Sequence, residues 1–76
     1  MNNKRRAILR SAIEELRSAA ATTEHVMIAE EDCLDNLSEN FSGGDRYAKM
    51  ENAVDLMAEA SDCIETAIEK LSEAIR

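Results

Sequence analysis

DNLSENFSGGDRYAKME, residues 35–51, gathers the only phenylalanine (Phe41), the only tyrosine (Tyr47) and both glycines (Gly43 and Gly44) of a 76-residue chain. Two adjacent glycines offer the positive-φ positions that end a helix, and Ser42 or Asp45 can accept hydrogen bonds from the free amides of the helix that follows. A stop is followed by a start, so this stretch predicts a bend between two helices. So short a connection makes the helices antiparallel. Phe41 and Tyr47 then flank the bend and are expected to fold over the open end of the apolar stripe, where large rings bury most area per residue.

Both sides of the bend carry a seven-residue rhythm. Upstream, Leu9, Leu16 and Leu37 share one column, Ala12, Ala19, Val26 and Cys33 a second, and Ile13, Ala20, Met27, Leu34 and Phe41 a third. Thr23 and Glu30 fall on the leucine column and cut a polar notch in it. Downstream, Tyr47, Met50, Val54, Met57, Ser61, Ile64, Ile68, Leu71 and Ile75 alternate by three and four, as a coiled-coil seam does. Beside it runs one alanine per heptad: Ala53, Ala60, Ala67 and Ala74. The spacing predicts an all-α, coiled-coil-like antiparallel hairpin in a single domain spanning 1–76. Helix 1 covers about 3–38, the bend 39–44 and helix 2 about 45–76. A hairpin this small has little core of its own, so dimerisation into a four-helix bundle is expected, with Ile13, Met27, Leu34, Ala53, Ala60, Ala67 and Ala74 as the association seam.

Pairing at positions whose numbers sum to about 86 puts His25 level with Ser61 and Thr23 level with Cys63. That reads as a buried polar layer fixing register. The same register keeps Cys33 and Cys63 about 15 Å apart along the axis, beyond the roughly 7 Å Cα separation a disulfide allows. Both cysteines read as small buried hydrophobes.

Composition agrees with a helical protein. Proline is absent, apolar residues make up 45% and charged residues 33%, and the net charge is -7. Strong apolar periodicity separates the chain from disordered acidic sequences. The amino terminus MNNKRRAILRSAIEEL is charged where a signal peptide needs an apolar core, and no apolar run approaches membrane-spanning length, so a cytoplasmic location without membrane contact is expected.

DNLSENF followed by GDRYAKMENAVDLMAEASDCIETAIEKL resembles small bacterial and phage proteins with the pattern DNLPEN, a Ser/Gly-Glu-Arg segment, MEE and repeated acidic heptads. Asp35, Asn36, Leu37, Glu39, Asn40, Arg46, Met50 and Glu51 match. Ser38 stands where that pattern has proline, so a sharp stop of helix 1 is not enforced at this position. The resemblance implies a helical hairpin in a mobile-element setting and carries no catalytic mechanism.

Charge divides unevenly along the chain. Lys4, Arg5, Arg6 and Arg10 cluster without an acid at the start, where the helix dipole disfavours cations. Glu30, Glu31, Asp32, Asp35 and Glu39, with Glu51, Asp55 and Glu59 across the hairpin, make the bend end acidic, and these eight form a candidate face for a protein partner with a basic surface. Four basic residues without aromatic platforms argue against direct nucleic-acid binding. Asp32 with Asp35, and Glu59 with Asp62, resemble the paired acids that line the magnesium site of all-α nucleotide pyrophosphatases, a remote alternative. The favoured reading has no metal, no cofactor and no catalytic residue, because Glu59, Asp62 and Glu65 point from the seam toward water and His25 has no nucleophile in register. Two functions stay open: a non-enzymatic acidic interaction module associated with phage or mobile elements, and a small inhibitor or sequestering protein of host defence, of anti-CRISPR or DNA-mimic type.

Overall fold

The computed structural model describes the backbone of residues 1–41 and 44–76, and the side chains of all of these except residues 38–41. It contains two helices, α1 (Asn3–Phe41) and α2 (Asp45–Ala74), packed along each other, and no strand among the described residues. The Cα trace measures 57 × 14 × 13 Å. Thirty-nine residues at about 1.5 Å per residue account for the whole of that length, so α1 sets the rod and α2 lies against part of it.

Helix α1 starts at a cap that the sequence reading overlooked: Asn2 Oδ1 accepts from the Arg5 backbone N–H at 2.8 Å, satisfying one of the free amides of the first turn. It runs past the expected stop at 38 to Phe41, through Ser38, as a helix can where proline is missing. Gly44 takes the N-cap of α2 in an extended conformation, φ -86 and ψ 157, with no side-chain cap. Two expectations are thereby corrected. Gly44 does not need positive φ, and Asp45 is the first helical residue, favourably placed at the positive end of the dipole rather than capping it. Ser42 and Gly43 lie outside the described residues.

Burial confirms the heptad seam. On α1 the residues that are buried or largely covered are Arg6, Leu9, Ala12, Ile13, Leu16, Ala20, Thr23, Met27, Glu30, Leu34 and Leu37; on α2 they begin at Tyr47 and follow the three-four spacing to Ile75. Only Ile13 (4% exposed) and Leu34 (9%) are buried among the described residues. Grooves between the helices fix the register: Ile13 shares one with Ser72 and Ile75, Glu24 one with Asp62 and Glu65, and Met27 one with Ala58 and Ser61. These levels agree with the expected sum near 86. Because Ile75 is already level with Ile13, residues 3–8 of α1 project beyond the end of α2, carrying Lys4, Arg5, Arg6 and the exposed Ile8.

Candidate functional site

Two antiparallel helices are related by a twofold axis across them, so each residue column of α1 lies beside its like column of α2. The column one step after the seam therefore meets itself, and a groove lies there: Arg17 and Glu24 of α1 line an opening of about 730 Å³ together with Asp62, Glu65 and Glu69 of α2. Glu31 and Glu51 continue the same columns toward the bend. This flank is polar and mostly acidic. Arg17 Nη1 donates to Glu14 Oε1 at 2.8 Å, an exposed pair one turn apart that contributes little to stability.

The opposite flank is built from Ala12, Ala19, Val26 and Cys33 beside Ala53, Ala60, Ala67 and Ala74; along its rims Ile8, Ala29, Leu56 and Cys63 alternate with Glu15, Thr22, Asn36, Lys49 and Lys70. Val26 is 45% exposed, Leu56 55% and Ile8 60%. The rod thus has one charged flank and one whose centre is apolar, and Ala19, Val26, Cys33, Ala60 and Ala74 on the latter are open to water.

Of the eight acids expected at the bend end, Glu31, Asp32, Asp35, Glu51, Asp55 and Glu59 are exposed. Glu30 is half-buried at the leucine column, where the polar notch was expected, and is less open than the other acids. The Glu39 side chain lies outside the described residues. Glu24, Asp62, Glu65 and Glu69 extend the acidic surface toward the middle of the rod, and their signal in the sequence was their place immediately after, or one turn from, a seam residue.

The expected association seam divides in two. Ile13, Leu34 and Met27 are covered by α2 within the hairpin and so are committed to the intrachain seam. Ala60 and Ala74 are exposed, and Ala53 and Ala67 half-covered. Of the bend plug, Tyr47 is half-buried and lines a small groove with Leu37, Gly44, Asp45 and Arg46, whereas the Phe41 side chain lies outside the described residues.

Both cysteines are exposed, which corrects their reading as buried hydrophobes: they lie on the apolar flank, off the seam. The polar layer is corrected as well. His25 is exposed on the outer surface and takes no part in it. What remains in the seam is Thr23, whose Oγ1 donates back to the Ala19 carbonyl at 2.8 Å, and Ser61, whose hydroxyl is buried with no hydrogen-bond partner. An unpaired buried hydroxyl costs about 1–3 kcal/mol of desolvation. Ser61→Ala is therefore expected to stabilise the hairpin by about 1 kcal/mol, raising the thermal midpoint by about 4–8 °C; a fall in the midpoint would show that the hydroxyl is satisfied.

Among the described residues no group of three or more His, Cys, Asp or Glu is arranged to hold a metal ion, and no helix is long and apolar enough to cross a membrane. No family model matches the chain, and no curated protein or solved structure is significantly similar to it.

Proposed function

We propose that the chain is a non-enzymatic, acidic protein–protein interaction module that works as a homodimeric four-helix bundle, with its polar flank turned to a partner protein of basic surface. The observation that carries this reading is the amount of surface left open. The hairpin exposes 5727 Å². A compact monomer of its mass would expose about 4,600 Å², so about 1,100 Å² is in excess. A standard interface buries about 800 Å² per partner, so pairing two apolar flanks accounts for an excess of this size. The acidic heptads and the resemblance of the bend to small phage and bacterial hairpins support a mobile-element setting.

The test is capture of bacterial proteins on the immobilised chain at low and high salt, in parallel with the triple variant Asp32→Asn, Asp35→Asn, Asp55→Asn. Screening shortens from about 10 Å at 0.1 M to about 3 Å at 1 M salt, so a basic partner held by the acidic face is expected to be lost both in 1 M salt and with the triple variant. A partner retained equally in every condition would move the contact to the apolar flank. The host-defence reading shares the same surface, since a row of carboxylates on a narrow rod is what a DNA mimic presents; competition between duplex DNA and the chain for the captured partner distinguishes it.

A further inference from the structure

We propose that the apolar flank is covered by a second copy of this chain in the antiparallel sense, so that the bends of the two hairpins lie at opposite ends of the bundle. This rests on the homodimer proposed above and adds its arrangement. Two apolar flanks can face each other about a twofold axis in only two ways. With the axis along the rod, the bends share an end, and α1 packs on the partner's α2. With the axis across the rod, the bends are at opposite ends, and each helix packs on its own copy.

Three features of the hairpin favour the second. Residues 1–22 and 64–76, the terminal half, hold seven bases and five acids; residues 23–63, the bend half, hold two bases and eleven acids, giving net charges of +2 and -9. Sharing an end sets -9 beside -9, whereas opposite ends set -9 beside +2 at both ends. The overhang makes the same choice. Residues 3–8, with Lys4, Arg5 and Arg6, project past α2; side by side, two such overhangs repel, while in the crossed arrangement each lies along the bend end of the partner's α1.

Packing supplies the third feature. The register makes Ala12 level with Ala74, Ala19 with Ala67, Val26 with Ala60 and Cys33 with Ala53. Sharing an end puts two Val26 side chains into one layer and four alanines into the layer two turns away, so the helices could not keep one separation. In the crossed arrangement Val26 meets the layer of Ala19 in the other copy, and Cys33 meets that of Ala12. Each layer then holds one larger side chain and three alanines, the even filling that close-packed interiors require. The shared-end arrangement offers Glu15 beside Lys70 across the interface, but a solvated rim pair contributes little.

Spin labels at Asn3→Cys, in a chain also carrying Cys33→Ala and Cys63→Ala, read the arrangement directly, because Asn3 is exposed and off the apolar flank. The crossed arrangement separates the two labels by about 55–60 Å along the rod. A shared end brings them within about 30 Å, two helix diameters plus the labels. Short bismaleimide cross-linking gives a second measurement without the new cysteine: Cys33→Ala, which keeps Cys63 close to the crossing axis, is expected to cross-link into dimers, and Cys63→Ala, which leaves the Cys33 pair about 32 Å apart, is not. A short label distance, or cross-linking by both variants, overturns the arrangement while leaving the dimer intact. Absence of any dipolar signal, with sedimentation as a single hairpin, overturns the dimer as well.

Discussion

Truncating either of the two buried side chains is expected to remove a large share of the protein's stability. Leu34→Ala and Ile13→Ala each remove a large apolar group from a site that is 9% or 4% exposed. Such truncations cost about 2–5 kcal/mol, set by how far the surroundings collapse into the gap. A domain of this length has about 4–11 kcal/mol of stability in all, at 0.05–0.15 kcal/mol per residue. One substitution therefore removes a large share of it. A rod of two helices also has few neighbours available to move in and refill the space, which puts the cost toward the upper half of that range. Urea or thermal unfolding followed by helical circular dichroism, at one fixed protein concentration, measures the effect. Ile28→Ala, at a position 51% exposed, provides the comparison and is expected to change stability by no more than about 0.5 kcal/mol. Equal losses at Leu34 and Ile28 would show that the seam is not where the core lies.

If the proposed dimer forms through the apolar flank, placing a carboxylate there is expected to dissociate it without unfolding the hairpin. Val26→Glu and Ala60→Glu put an unpaired charge into the centre of the proposed interface, and the twofold axis makes each change count twice. Leaving a charge buried without a partner costs about 3–5 kcal/mol, and each 1.4 kcal/mol is about tenfold in affinity. The dissociation constant is expected to rise by at least about a hundredfold, with a change from dimer to monomer in sedimentation at micromolar concentration. Because Val26 is 45% exposed and Ala60 also exposed in the hairpin itself, helical content at that concentration is expected to persist. Asn52→Glu, on the outer surface, adds the same charge and leaves association unchanged. Sedimentation that is identical for all of these proteins would remove the apolar flank as an interface.

The hairpin and its register were legible in the sequence because both follow from spacing. Apolar residues every three or four positions define a seam whatever their neighbours do, and a bend of fixed length leaves one way to align two such seams. Finer placement depends on angle about each helix axis, which spacing along the chain does not fully give. Cys33 and Cys63 are apolar enough to be buried, yet stand about a quarter-turn or more off the seam, where a two-helix protein has nothing to cover them. His25 was level with Ser61 but pointed the opposite way; level is given by counting along the chain, while facing requires knowing which column each residue occupies. Thr23 and Glu30 show the converse, since their column alone placed them in the seam despite their polarity. The grouping of Glu24 and Glu69 with Asp62 and Glu65 was not legible for a related reason: acids look alike in a sequence dominated by them, and only the closed register shows which ones line a common groove.

The register also dictates an order of assembly. Leu37 and Tyr47 meet beside the bend and are about ten residues apart in sequence, whereas Ile13 and Ile75 meet at the far end after about sixty intervening residues. Closing a loop costs about 0.6 kcal/mol more for every doubling of its length, so the first contact near the bend is cheaper than the last by roughly 1.5 kcal/mol if each formed alone. Once the bend has closed, every further level of the seam adds only a few residues to a loop already formed. The chain can thus fold as a zipper, from Tyr47 toward the termini. Its rate is then governed by that first turnabout, and the end holding both termini, the last to be drawn in, is the first to open.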